Sequence, residues 1–65
     1  MKVGIIGLGL IGSSLALKIS EAYNDITIYG EDISESNLKY TIENKIISNK
    51  LEEKDYSKLD ILFVA

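Results

Sequence analysis

The chain of 65 residues carries a net charge of −3 and contains no cysteine, histidine or arginine, so all seven of its cations are lysines. Those absences exclude a disulfide framework, a thiolate or imidazole metal site, a Ser-His-Asp or Cys-His catalytic arrangement, and a guanidinium clamp for carboxylates. The mildly acidic balance also argues against a nucleic-acid-binding surface, which needs clustered basic residues.

The N-terminal apolar stretch, Val3 to Leu17, is too short to span a bilayer and lacks the cleavage pattern of a signal peptide. We therefore expect a soluble, cytoplasmic protein that does not contact membranes. Within the stretch, the continuous apolar run at Lys2–Ile6 predicts a buried strand. Glycines at 7, 9 and 12 interrupt that run, and a helical pattern follows from about Leu10 to Tyr23. The predicted core-facing stripe of this helix consists of Ile11, Leu15, Ile19 and Ala22, with Ala16 beside it.

The remaining chain alternates strand and helix patterns. Ile26–Tyr29 is rich in β-formers and predicts a second strand. Ser34 is a favourable N-cap for a helix from about Glu35 to Lys45. Residues 46–51 are ambiguous and compatible with a very short strand. The last elements are a predicted tight turn at 56–59 and a predicted apolar strand at 60–64.

This order, β-α-β-α-β, predicts an α/β fold with a parallel sheet. We predict three strands with the first strand central, because the first and last strands are the most apolar. The 26–29 strand then lies outside the first, and the order of the strands reverses between Ile6 and Val64. Ligands of open α/β sheets bind at such a reversal, beyond the carboxyl ends of the strands.

The glycine-rich motif Gly7-Leu8-Gly9-Leu10-Ile11-Gly12 lies at this point. A Gly-x-Gly-x-x-Gly pattern is weak alone, but here a strand precedes it, a helix begins inside it, a second strand follows, and Asp32 lies 20 residues after Gly12 (32 − 12). The pattern predicts the pyrophosphate loop of a dinucleotide-binding Rossmann domain. Gly7 would allow the tight turn, Gly9 the approach of the pyrophosphate, and Gly12 the close packing of the helix on the sheet. Amide groups at the helix N-terminus would supply the donors.

Asp32 is expected to accept hydrogen bonds from the ribose hydroxyls of the adenosine half. Its negative charge, with no lysine or arginine among the next six residues, favours NAD over NADP. Glu31 is the alternative for this role. Strand alternation points the two carboxylates to opposite sides, and the 20-residue spacing favours Asp32, which leaves Glu31 as a solvated charge. Two interpretations of Ser13 stay open. Its hydroxyl could donate a hydrogen bond to phosphate, or Ser13 could be an ordinary residue at the helix N-terminus.

Leu17 lies about 200° around the helix from Leu15, because two residues turn the helix by about 100° each. Leu17 and Leu10 therefore share a face that points away from the sheet. We expect this face to contact a further part of the protein, and burial of Leu17 within these 65 residues would contradict that expectation. The tyrosines are interpreted as packing or interface residues rather than catalytic acids.

The segment from Val3 to Leu17 resembles the opening of the prephenate dehydrogenases, the tyrosine-biosynthesis family that also includes arogenate dehydrogenases. Its Gly-Leu-Gly-Leu-Ile-Gly core, followed by Ser-Leu-Ala, is typical of that family. Related β-hydroxyacid dehydrogenases more often carry a methionine before the third glycine. Leu59–Ala65 is similar to the family's next diagnostic strand, whereas residues 33–56 match only loosely and are shorter.

The resemblance implies a cytoplasmic, homodimeric oxidoreductase that uses NAD for the oxidative decarboxylation of prephenate to 4-hydroxyphenylpyruvate, or for the corresponding reaction of arogenate. The motif and the resemblance together predict the cofactor-binding residues Gly7, Leu8, Gly9, Leu10, Ile11, Gly12, Asp32, Ile33, Val64 and Ala65. The family's catalytic histidine and substrate-binding arginines have no counterpart in this sequence. We therefore expect residues 1–65 to be an inactive N-terminal part of a NAD-binding domain, without the rest of that domain and the family's helical C-terminal domain.

Two alternatives stay open at this point. One is another NAD(P)-dependent dehydrogenase, of the 3-hydroxyacid or 6-phosphogluconate type. The other is a binding module that takes NAD without catalysing a reaction.

Overall fold

The computed structural model describes residues 1–65 and contains four strands, two α-helices and one 3₁₀ helix. In chain order they are β1 (Lys2–Ile6), α1 (Leu10–Ala22), β2 (Thr27–Glu31), α2 (Glu35–Glu43), β3 (Asn49–Lys50), the 3₁₀ helix (Glu53–Lys58) and β4 (Ile61–Val64). Neither α-helix combines the length and the apolar character that crossing a membrane requires.

The four strands form one parallel sheet in the order β3-β2-β1-β4. The prediction that β1 is central, flanked by β2 and β4, is confirmed. The prediction of three strands is wrong, because β3 pairs with β2 through Tyr29 opposite Asn49 and Gly30 opposite Lys50. A strand of two residues has no alternation of its own, so only its pairing with β2 defines it. The arrangement is consistent with a partial Rossmann-like fold.

The two faces of the sheet are covered differently. Val3 and Ile5 of β1 and Ile28 of β2 lie in the core cluster against which Leu15 of α1 and Leu38 of α2 pack. Both α-helices therefore cover the same face. Side chains alternate along a strand, so Gly4 belongs to the opposite face. A Cβ at Gly4 would contact side chains that come from the connection between β3 and β4 and from β4 itself: Leu51, Leu59 and Leu62.

Helix α1 presents small residues to the sheet. Gly12 and Ala16 are its buried residues, and Leu15 and Ile19 are partly buried beside them. The prediction that Ile11 faces the core is wrong, because 77% of its surface is exposed. Close approach of the backbone at Gly12 to the end of β1 sets the rotation of the helix and turns Ile11 outward.

Helix α2 begins as predicted, with the Ser34 hydroxyl accepting a hydrogen bond from the Asn37 N–H. It ends at Glu43, two residues earlier than predicted, because Lys45 adopts a left-handed conformation with φ 58°. Its fully buried residue is Thr41, whose hydroxyl donates to backbone carbonyls of the preceding turn. Ile42, the next residue, is exposed.

Candidate functional site

The glycine-rich loop connects β1 to α1 at the carboxyl end of the sheet. Gly7 has φ 98°, in the left-handed region that favours glycine, and its N–H donates a 2.7 Å hydrogen bond to the Glu31 carbonyl at the end of β2. The chain thus turns sharply as it leaves β1 while staying attached to the neighbouring strand. The prediction that Gly7 makes a tight turn is confirmed.

Gly12 is the point of closest packing. A Cβ at this position would overlap the Gly7 carbonyl oxygen and would also contact Ile5 of β1. Only a residue without a side chain lets the first turn of α1 lie so near the end of the strand. The structure therefore gives Gly12 the packing role that the motif predicts.

Gly9 faces open space, with no atom within 4 Å of the position that a Cβ would occupy. It is the N-cap of α1 and provides no side-chain cap. The N–H groups of Gly9, Ile11 and Gly12 have no acceptor within the chain. The helix therefore begins with free donors at its positive end, which is the arrangement that binds anions such as phosphate.

Leu8 has a different part in the loop. Its side chain is 2% exposed and belongs to the core cluster. Its N–H donates a 2.6 Å hydrogen bond to Asp32 Oδ2. The Ser13 hydroxyl donates a 2.9 Å hydrogen bond to the Leu8 carbonyl, so it stabilises the N-terminus of α1. Leu8 consequently fixes the loop in place, and the free donors of Gly9, Ile11 and Gly12 follow it in the chain.

Asp32 follows β2 and is held by three donors. Its Oδ1 accepts from the Ser34 N–H at 2.8 Å, and its Oδ2 accepts from the Leu8 N–H and, at 3.5 Å, from the Asn37 amide. The Ser34 and Leu8 hydrogen bonds, with a smaller contribution from Asn37, lower the pKa of Asp32 although partial burial opposes them. A carboxylate has about four acceptor positions, so an ionised Asp32 retains capacity for a ligand hydroxyl.

Glu31 directs its side chain to the other side of β2. Its Oε2 lies 3.3 Å from the hydroxyl of Tyr56, which the 3₁₀ helix brings under the opposite face of the sheet. Partial burial, the Glu31 charge and this hydrogen bond raise the pKa of Tyr56. The prediction that Glu31 and Asp32 point to opposite sides is thereby confirmed.

Two clefts adjoin at Gly7. The first, of about 390 Å³, is lined by Ile6, Gly7, Glu31, Asp32 and Ile33. The second, of about 360 Å³, is lined by Gly7, Gly9, Leu10, Ile11, Gly12 and Ala65. One cleft thus contains Asp32 and the other the start of α1, so that a long ligand with a central anion could cross from one to the other over Gly7.

Most of the predicted cofactor-binding residues line these clefts, and two do not. Leu8 is in the core, and Val64 is exposed at the end of β4 beside them. Sequence reasoning missed Ile6, which lines the first cleft, although the strand pattern places it at the end of β1. The contact between Tyr56 and Glu31 was also not predicted, because nothing local links residues 25 positions apart.

A third cleft, of about 390 Å³, separates α1 from α2. Leu10 and Leu17 line it, and 44% of the Leu17 surface is exposed. Leu17 therefore points away from the core, as predicted. That this face contacts a further part of the protein stays a prediction.

Comparison with known proteins adds no family assignment. No protein-family model and no curated protein matches the chain. In the structure, no group of three or more carboxylate side chains is placed to hold a metal ion. The geometry of the loop and of Asp32 is therefore what bears on the function of the chain.

Proposed function

We propose that this chain binds NAD as the N-terminal part of a Rossmann domain of an oxidoreductase. The observation that carries the proposal is the placement of Asp32 beside a glycine turn that opens a helix with unpaired N–H groups. The loop supplies donors for an anion, and Asp32 supplies an ionised acceptor next to it. A dinucleotide needs both, since its pyrophosphate is an anion and its ribose hydroxyls are donors.

The residues present fit the cofactor. Open space at Gly9 lets the backbone approach a pyrophosphate, and the free N–H groups of Ile11 and Gly12 would bind it. Asp32 would orient the adenosine ribose. Apolar side chains around the clefts, Ile33 and Ile11 among them, would shield the cofactor from water. When bound, NAD supplies a nicotinamide ring that accepts hydride from a substrate.

The reaction itself is proposed from the sequence resemblance. A prephenate or arogenate dehydrogenase would use this cofactor for oxidative decarboxylation in tyrosine biosynthesis, as a cytoplasmic homodimer. Residues 1–65 contain no histidine, arginine or cysteine, so the polarising base and the carboxylate-binding cations of such an enzyme would have to lie elsewhere. We expect this chain alone to bind cofactor without turning over substrate.

The same composition favours a second candidate, a NAD-binding module without catalytic activity. A dehydrogenase of the 3-hydroxyacid or 6-phosphogluconate type shares the loop and is distinguished by its substrate. Assaying NAD reduction with prephenate, arogenate and 3-hydroxyacids on any longer protein that contains this sequence separates these candidates. Reduction with none of them favours the binding module.

Isothermal titration with NAD, NADP and ADP-ribose tests the binding proposal. We expect NAD and ADP-ribose to bind, because both carry the adenosine and the pyrophosphate, and NADP to bind more weakly. Absence of binding by all three would refute dinucleotide recognition. Tighter binding of NADP than of NAD would contradict the role given to Asp32.

A further inference from the structure

The two edges of the sheet are protected to different degrees. β3 forms one edge with only two residues, Asn49 and Lys50, which are polar and exposed. A short strand that carries a lysine resists pairing with a further strand. β4 forms the other edge with Ile61–Val64, a segment without charge or proline. The β4 edge is therefore the one that is open to another strand.

The backbone of β4 has free hydrogen-bonding groups along this edge. The Ala65 N–H donates a 2.8 Å hydrogen bond to a carbonyl of β1. Because backbone groups alternate in direction along a strand, the N–H groups of Ile61 and Phe63 also point toward β1. The N–H groups of Leu62 and Val64 point the other way, where the sheet contains no further strand. An added strand would supply the acceptors that these two groups lack.

The side chains at this edge are apolar and incompletely covered. The exposed fraction is 43% for Ile61, 42% for Leu62 and 74% for Val64. On the helix face, an open apolar cleft of about 140 Å³ is lined by Met1, Val3, Ile19, Tyr23, Ile61 and Phe63. The exposed apolar side chains of the edge offer roughly 500 Å² per copy, so a symmetric pair would bury about 1,000 Å², the lower limit for a specific interface.

We propose that a second copy of this chain occupies the edge, with the two β4 strands antiparallel about a two-fold axis at Phe63. In this register, Leu62 lies opposite Val64 of the second copy, so each strand satisfies the free backbone groups of the other. The two Phe63 side chains are opposite each other, and aromatic cross-strand pairs stabilise a sheet. No charged residue takes part in the pairing of residues 61–65.

The two-fold arrangement limits the assembly. An isologous contact uses the same surface on both copies, so it closes on itself and stops at a dimer with one continuous sheet. The short polar β3 strands form the outer edges of that sheet and end it on both sides. The dimer does not depend on the proposed function, because it uses no residue through its contact with a cofactor.

Sedimentation equilibrium of the 65-residue protein between about 10 µM and 1 mM tests the proposal, since so small an interface implies weak association. We expect the wild-type protein to dimerise reversibly in this range, with or without NAD. Val64→Lys places a charge on the edge at a side chain that is already exposed, so it should fold and weaken dimerisation at least about tenfold. Ile42→Lys makes the same change at an exposed position of α2 and should dimerise like the wild-type protein.

Amide hydrogen exchange at low and high protein concentration gives a second measurement that needs no variant. We expect the Leu62 and Val64 amides to exchange more slowly at high concentration, and those of β3 to stay unchanged. A wild-type protein that remains monomeric throughout would overturn the inference, and this is the result expected if the edge binds a strand of another protein instead. Undiminished dimerisation of Val64→Lys, equal weakening in Ile42→Lys, open-ended assembly or unchanged exchange at Leu62 and Val64 would each overturn it as well. None of these results bears on NAD binding, which the titrations test separately.

Discussion

The Asp32 carboxylate accepts a 2.6 Å hydrogen bond from the Leu8 N–H and thereby joins the end of β2 to the glycine-rich loop. A second hydrogen bond, from the Ser34 N–H, attaches the same carboxylate to the start of α2. Asp32 is therefore fixed by the protein without the help of a ligand. A site held in this way avoids part of the ordering cost that binding otherwise carries.

The first prediction concerns acid stability. The backbone hydrogen bonds lower the pKa of Asp32 in the folded protein. The ionised form therefore stabilises the fold above the unfolded pKa of about 3.9, and this contribution is lost as pH falls through the lower folded pKa. Thermal melts from pH 7 to pH 3 should show a steeper loss of Tm below pH 4 in the wild-type protein than in Asp32→Asn. At pH 7 the variant should melt lower. Parallel profiles would contradict the stabilising role of the charge.

A second prediction distinguishes two glycines of the loop. Gly12→Ala places a methyl group against the Gly7 carbonyl and should destabilise the protein by about 3 kcal/mol, because neither backbone segment can move freely. Gly9→Ala meets open space and should cost no more than about 1 kcal/mol, the loss expected for alanine at an N-cap. Urea denaturation measures both values. Equal losses at the two positions would contradict the packing assigned to Gly12.

The third prediction uses the tolerance of Gly9. Because Gly9→Ala should fold, its effect on binding can be measured directly. Its methyl group would occupy the space through which a pyrophosphate approaches, so we expect at least about a tenfold loss of NAD affinity, or 1.4 kcal/mol. Ser14→Ala, an exposed position in the same helix, serves as the control and should bind like the wild-type protein. Unchanged NAD affinity in Gly9→Ala would indicate that the pyrophosphate binds elsewhere.

The fourth prediction addresses the end of α2. Lys45 is exposed and has φ 58°, a conformation that costs a lysine about 1 kcal/mol and a glycine almost nothing. Lys45→Gly should therefore stabilise the protein by about 0.5–1 kcal/mol in urea denaturation. Lys39→Gly, inside the same helix, should destabilise it by about 1 kcal/mol. A loss of stability in both variants would argue against a left-handed conformation at Lys45.

The sequence predicts the elements that have a clear hydrophobic pattern. Apolar runs indicate β1 and β4, and the central position of β1 follows from its apolar character. The short strand Asn49–Lys50 and the burial of Thr41 escape such reasoning. A two-residue strand exists only through its partner, and Thr41 is buried because its hydroxyl is satisfied by its own helix.

The candidate site likewise contains features that the sequence predicts and features that it does not. The spacing of the motif identifies Gly7, Gly12 and Asp32, because each role depends on local geometry or on a fixed chain distance. The contact of Tyr56 with Glu31 depends on where the connection between β3 and β4 passes under the sheet. No local pattern encodes that path, so this contact could be recognised only in three dimensions.

The central claim is that the loop amides receive the pyrophosphate of NAD, and titration of the ¹⁵N-labelled protein with NAD, followed by amide chemical shifts, tests it most directly. We predict that the largest changes occur at Gly9, Ile11 and Gly12, whose N–H groups have no acceptor in the chain, and that ADP-ribose reproduces them. Saturable binding that leaves these three amides unshifted, or no binding at all, would contradict the claim.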